Sequence, residues 1–376
     1  MIDSSGGPGF STGPEGPAER SHPQEGPGFP QMSDADEPTP PGDVSRETTF
    51  EPAPDAAAAD SPRIRTAAEI AAMHGDFDDA LTPLARAAQQ SVMVRQGIPS
   101  QQLTRPHETR VFVVANQKGG VGKTTSTVNL AAALTRLGQR VLVIDLDPQG
   151  NASTALNIEH NRGVASTYDA LVDGTPLSEI AQPCPDVAGM FVVPATIDLA
   201  GAEIELVSVV AREGRLKKAI FGDPRVGNAE KAGEDRFDYV LIDCPPSLGL
   251  LTLNALVAAA EMLIPIQAEY YALEGLGQLL NTVEMVKAHL NPELDVSTIL
   301  LTMYDARTRL AAGVAADVRE HFGDQVLRTA IPRSVRVSEA PSYGQTVITY
   351  DPASPGALSY LEAAREMTER ATTEKA

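Results

Sequence analysis

Apolar residues are sparse over residues 1–62, fall only loosely into helical spacing over 64–96, and become regular from Arg110 onward. Short runs of consecutive apolar residues then alternate with longer stretches where apolar positions recur every three or four residues, as buried strands separated by helices would require. The runs predict strands at 111–115, 140–146, 190–194, 237–243, 261–266, 296–304 and 325–331, with a shorter one at 346–349. Helices are expected over 124–137, 199–220, 250–260, 273–290, 310–321 and 355–370. Strands with so little polar alternation need cover on both faces, so the expected fold is α/β, a doubly wound, mainly parallel sheet with helices on both sides. A ligand of such a sheet belongs beyond the C-terminal ends of its strands.

At the first of those ends stands VFVVANQKGGVGKTTSTVN, residues 111–129. A strand, a glycine-rich turn and a helix start in that order build a phosphate cradle. Gly119, Gly120 and Gly122 let backbone N–H groups close on an anion, Lys123 can reach the β- and γ-phosphates, and the Thr124 hydroxyl can ligate Mg²⁺. The common form of this loop has glycine where Gln117 stands, and here a second lysine, Lys118, follows it. A dinucleotide fingerprint fits worse, because it needs glycine at Val121 or at Thr125.

KGGVGKTT with a lysine at its head resembles the deviant Walker A loop of the ParA/MinD group of P-loop ATPases. ANQKGGVGKTT followed by VLVIDLDPQGNAS resembles the chromosome-partitioning, Soj-like branch, and the likeness runs over about 108–370. It implies that ATP is held by the loop Lys118, Gly119, Gly120, Val121, Gly122, Lys123, Thr124 and Thr125. It also implies that Thr124 ligates Mg²⁺ directly while Asp145 and Asp243 support the ion and its waters. Asp147 then orients the attacking water for ATP + H2O to ADP + phosphate, with Lys118 and Lys123 compensating charge. Lys118 would cross a nucleotide-sandwich homodimer to the partner's phosphates, and Gly119 would lie where two backbones approach closely. A solvated loop lysine is the plain alternative for Lys118, as a turn or helix cap is for any one of the acids.

Composition divides the chain. The 376 residues carry a formal charge of −20, and residues 1–62 hold 12 of the 29 prolines and 12 acids against 2 bases, so that segment supplies −10 of the total. So few aliphatic residues cannot offset chain entropy, and residues 1–62 are expected to be disordered. Residues 63–107 read as a helical extension and linker, with loose helical spacing over 64–96. That stretch either packs on the body or docks a partner. The resemblance implies that residues 108–376 form the ATPase domain.

An acidic total opposes binding to DNA unless basic side chains gather locally. Residues 301–340 carry six arginines against five acids. Within them DARTRL and IPRSVRVSEAPSYG resemble the segments whose arginines touch the DNA backbone in this family, which points to Arg307 and Arg336, and then Arg333. Surface ion pairs are the other reading of those arginines. No NKxD guanine motif follows the cradle, which favours adenine. The last helix, SYLEAAREMTER, mixes acids and bases and lacks the basic amphipathic character of a membrane anchor, so no membrane insertion is expected. Cys184 and Cys244 have no disulfide or cluster spacing. The expected function is an ATP-dependent dimerising ATPase, weak until stimulated by a partner, that binds nonspecific double-stranded DNA and segregates chromosome origins. Its expected partners are a ParB-type centromere-binding protein and a polar scaffold protein, in a nucleoid-associated cytoplasmic setting. The alternatives are a positioner of protein cargo or of division, and a metabolic P-loop enzyme of the dethiobiotin-synthetase kind.

Overall fold

The computed structural model describes residues 102–269 and 272–373. The expected disorder of 1–62 and the helices expected within 64–96 lie outside the described residues. The strands are β1 (Arg110–Val114), β2 (Val141–Asp145), β3 (Gln182–Pro183), β4 (Met190–Val193), β5 (Tyr239–Asp243), β6 (Glu261–Gln267), β7 (Asp295–Tyr304) and β8 (Val326–Pro332). They form one sheet in the order β3-β4-β2-β5-β1-β6-β7-β8. Every pairing is parallel except that of β3, a two-residue antiparallel edge containing Pro183. A short edge strand with proline offers little to pair with.

Alternate residues of each central strand serve opposite cores. In β1, Val111 and Val113 face one side, and Phe112 and Val114 the other. The Phe112 side is covered by α1 (Lys123–Arg136) and by α13 (Pro355–Thr373), through Leu130, Leu134, Tyr360 and Ala363. The Val113 side is covered by α5 (Leu199–Leu206), α6 (Arg215–Gly222), α8 (Leu250–Ala258), α9 (Ala272–His289) and α10 (Arg309–Phe322). The doubly wound architecture read from the sequence is therefore the one observed. Short helices fill the connections: α2 (Asn151–Ala155), α3 (Thr167–Leu171), α4 (Leu177–Ile180), α7 (Ala229–Ala232), α11 (Val335–Glu339) and α12 (Val347–Tyr350).

Two expected elements are corrected. The helix expected over 199–220 is two helices, because α5 stops at Leu206 and Ala211 takes a left-handed φ of 54° before a 3₁₀ turn at Arg212–Gly214. Crowded β-branched residues Val207, Val209 and Val210 weaken helix there, and the Arg212 guanidinium caps the carbonyl of Val207. The strand expected at 346–349 is the helical turn α12. Its Val347 N–H donates to Asn129 Oδ1 on α1 at 2.7 Å, and Val347 and Ile348 are buried, so tertiary packing overrides the strand preference of β-branched residues.

Candidate functional site

Register brings the chemistry together. Val114 pairs with Asp243 across β1 and β5, and Asp145 pairs with Asp243 across β2 and β5. Three strand ends are thus level, and the glycine loop, the Asp145–Asp147 turn and the segment after Asp243 leave from one edge. This is where strand order reverses about β1, the place where an open α/β sheet forms a crevice.

The loop is pinned at both ends. Asn116 donates from Nδ2 to the Pro265 carbonyl at 2.8 Å, while its Oδ1 accepts the Lys118 N–H. Thr302, near the end of β7, donates from Oγ1 to the Val121 carbonyl at 2.8 Å. Gly120 and Gly122 have φ of 74° and 87°, which L side chains rarely adopt, and a Cβ on Gly119 or Gly120 would meet only open space. The hollow is therefore lined by backbone, as an anion site requires. Val121 is buried, and Thr125 lies in the first turn of α1 beside Thr124, its carbonyl accepting from Asn129. The Lys123 ammonium lies within the loop, 3.3 Å from the Lys118 carbonyl, and burial lowers its pKa against the pull of Asp243.

The carboxylates occupy fixed places. Asp243 accepts from Thr124 Oγ1 at 2.7 Å and from Thr127 Oγ1 at 2.9 Å. Asp145 accepts from both the N–H and the hydroxyl of Ser153, and from the Asp147 N–H. Asp147 is buried, with Oδ1 accepting the Gln149 N–H. Burial, softened by the Ser153 hydrogen bonds, pushes Asp145 up to about 6. Burial first, and the charge of Asp145 second, push Asp243 up to about 8. Three buried acids gather beside one buried ammonium, and a divalent cation would favour their charged forms. Among the described residues no group of three or more His, Cys, Asp or Glu could hold a metal alone. A divalent ion at this site would therefore need further oxygen ligands, such as phosphate and water. Because Thr124 gives its proton to Asp243, the lone pairs of its hydroxyl stay free for such an ion. Cys244 is a buried neighbour of Asp243 whose thiol burial raises well above the usual range.

Lys118 stands apart from Lys123. Its ammonium is part-exposed and pairs with Glu269 at 3.0 Å, and Gln267 in turn donates to Glu269. The arginines lie beyond β7 and β8. Arg307 is clamped by both oxygens of Asp305, at 2.9 and 2.8 Å, and holds that carboxyl well below the usual range. Arg333 lies beside it, its N–H donating to the Tyr304 carbonyl. Arg336 on α11 pairs with Glu339 and Asp351. Arg307 and Arg336 thus sit in surface ion pairs. Asn116, Thr127, Ser153, Glu269 and Thr302 were not singled out from sequence. Thr127 and Ser153 lie within the quoted motifs and could have been, whereas Thr302 meets the loop only through folding.

A family model described as an AAA domain matches residues 109–296. The chain is 52% identical to the sporulation initiation inhibitor protein Soj of Bacillus subtilis over 258 residues, 69% of this chain and 98% of that protein. It is 49% identical to the chromosome partitioning protein ParA of Myxococcus xanthus over 263 residues, 70% of this chain and 89% of that one. Among solved structures it is similar to a cobyrinic acid a,c-diamide synthase from Mycobacterium smegmatis with bound ADP and magnesium. The TM-score is 0.56 at 40% identity, over 68% of this chain and 93% of that one.

Proposed function

Because this chain belongs to the ParA/Soj family of chromosome-partitioning proteins, we propose that it binds Mg-ATP and dimerises around it. In that state it holds DNA without regard to sequence, and chromosome origins are thereby moved apart. The observation that carries this reading is the meeting of the glycine loop with Asp145, Asp147 and Asp243 at three level strand ends. Backbone N–H groups of residues 119–125 hold the phosphates, and Lys123 compensates their charge. Thr124, whose hydroxyl donates to Asp243, would offer its lone pairs to the ion, and Asp145, fixed by Ser153, would order the waters around it. Asp147 orients the water that attacks. Bound Mg-ATP supplies the transferable phosphoryl group and the cation that neutralises it; phosphoryl transfer then asks for positioning rather than a covalent nucleophile.

Lys118 is the residue of the dimer. It leaves Glu269 for the phosphates of a second copy, and hydrolysis removes the charge that it faces, so the pair loosens. Arg307, Arg333 and Arg336 give the DNA surface. A ParB-type protein stimulates hydrolysis, and a polar scaffold protein is the further partner of a nucleoid-associated chain. Among the described residues no helix is long and apolar enough to cross a membrane. The reading is tested by binding to arbitrary duplex DNA with ATP, ADP or no nucleotide at two salt concentrations. Tight binding only with ATP, falling steeply with salt, supports it. Absence of binding under every condition leaves the nucleotide site and moves the function to a positioner of protein cargo or division. Likeness to a structure named as a diamide synthase makes small-molecule turnover without DNA the further outcome to exclude.

A further inference from the structure

The turn that carries Asp147 has a support of its own. Asp147, Pro148, Gln149 and Gly150 close a tight turn through the Gly150 N–H, which donates to the Asp147 carbonyl at 2.9 Å. Gly150 has φ of 63° and ψ of 28°, the left-handed conformation that glycine takes without strain. A side chain there would also find no room, because a Cβ would come within 2.9 Å of His160 Cδ2 and 3.2 Å of the Ala195 carbonyl oxygen. An imidazole thus lies edge-on against the turn, brought there from further along the chain.

The segment after α2 folds back to place it. Asn157 takes a left-handed φ of 53°, which asparagine tolerates better than most side chains, and its N–H donates to the Thr154 carbonyl. The Ile158 N–H then donates to the Ser153 carbonyl at 3.0 Å, and the Ile158 side chain is buried in the core. His160 is held through both ring nitrogens, with Nδ1 2.7 Å from the Ile158 carbonyl oxygen and Nε2 3.2 Å from the Thr154 hydroxyl. A carbonyl only accepts, so Nδ1 carries the proton, and Nε2 of the neutral ring accepts from Thr154. The same hydroxyl lies 3.0 Å from the Gly150 carbonyl oxygen, which also accepts the Thr154 N–H. Helix α2 therefore holds both acids. Its Ser153 donates twice to Asp145, and its Thr154, together with His160, backs the turn that carries Asp147.

We propose that His160 is a positioning residue for hydrolysis, its ring bracing the turn from Asp147 to Gly150 so that the Asp147 carboxylate stays where the attacking water is oriented. The inference rests on the water-orienting reading of Asp147 above. Asp147 is tied at its N–H to Asp145 and at Oδ1 to the Gln149 N–H, so its side chain moves with the turn. The far end of that turn is glycine, the residue with the greatest backbone freedom, and there His160, Thr154 and the Ala195 carbonyl close it in. A shift on the order of 1 Å in a group that orients a reactant costs up to about a hundredfold in rate. ATP is held by a different loop, residues 118–125, so loss of the brace should appear in turnover and not in binding. A ring that merely closed the segment after α2 would leave turnover alone.

The test measures Mg-ATP hydrolysis and, by calorimetry, ATP affinity on the full chain and its variants. His160→Asn keeps an amide at the level of Nδ1 for the Ile158 carbonyl but leaves nothing against Gly150. His160→Gln returns an amide to the level of Nε2, and Thr154→Val keeps the shape of the threonine while removing its hydroxyl. His160→Asn and Thr154→Val should bind ATP within about twofold of the parent and lower kcat about tenfold with KM little changed, the mark of an interaction that serves the transition state. His160→Gln should recover kcat to within about threefold of the parent. Parental kcat in His160→Asn overturns the inference. So does an ATP affinity that falls in step with kcat, which marks a general disturbance of the site, or a His160→Gln chain no faster than His160→Asn. Parental turnover in Asp147→Ala instead overturns the reading of Asp147 itself, whatever the histidine variants do.

Discussion

Without nucleotide the protein should lose stability as pH rises from 6 to 8, and Asp243 should be the cause. Its carboxyl is pushed up to about 8 from an ordinary value of 3.8, first by burial and then by Asp145. Between those values the folded chain keeps a proton that the unfolded chain has released. Stability therefore falls with rising pH, by about 1.4 kcal/mol per unit for one proton. Across the two units below the folded pKa the loss approaches about 2 kcal/mol, or roughly 4–8 °C in melting temperature for a body of this size. Asp145, pushed up to about 6, loses its contribution earlier, between about pH 4 and 6. Asp243→Asn removes the titration but leaves a side chain that can still meet Thr124 and Thr127. Its melting temperature should therefore be flat over the same range and exceed that of the parent at pH 8. Mg-ATP should flatten the parent as well, because the ion takes the place of the proton. Differential scanning calorimetry at pH 6, 7 and 8 decides the matter. Parent and variant melting with the same slope would refute the claim that Asp243 is a strained, proton-holding carboxylate.

Other perturbations reach the remaining roles. Lys123→Ala should cost on the order of 3 kcal/mol of ATP binding, roughly a hundredfold, and calorimetry returning micromolar affinity would remove Lys123 from the cradle. Asp147→Ala should bind ATP and stay dimeric on DNA with turnover lost; phosphate release at the parent rate would place the water-orienting role elsewhere. Arg336→Glu should leave ATP binding unchanged and abolish retention on DNA in a filter assay, and undiminished retention would return the arginine to its pairs with Glu339 and Asp351.

How far the sequence carried depends on the range of the interaction. The buried strands and their order of succession were legible because unbroken apolar runs such as VFVV and VLVID can only be covered from both sides. The glycine loop was legible because its chemistry is consecutive along the chain. Residues 346–349 misled because Val347 and Ile348 favour strands locally, and only the distant Asn129 holds them helical. Thr302 had no local sign, since it reaches the Val121 carbonyl from 181 positions away. The pairing of Lys118 with Glu269 was hidden in the same manner, across 151 positions. Residues that act by contact with a distant segment carry no spacing to read.

The ion pairs of the arginines sharpen the proposed DNA reading. A phosphate that meets Arg307 or Arg336 must take the place of Asp305, or of Glu339 and Asp351. Exposed pairs of this kind are worth about 0–1 kcal/mol, so the exchange costs little, but it also yields little beyond the counterions released from DNA. Three arginines on one copy would give a salt slope near 3, by about 0.9 per phosphate, and on an acidic body that is feeble binding. Two copies fixed in one geometry would double the slope and turn the second set of contacts into an intramolecular event. A weak surface on each copy is then an advantage. It would make DNA retention depend on the dimer, and so on the nucleotide that Lys118 is proposed to reach, in a way that a strong surface on a single copy would not.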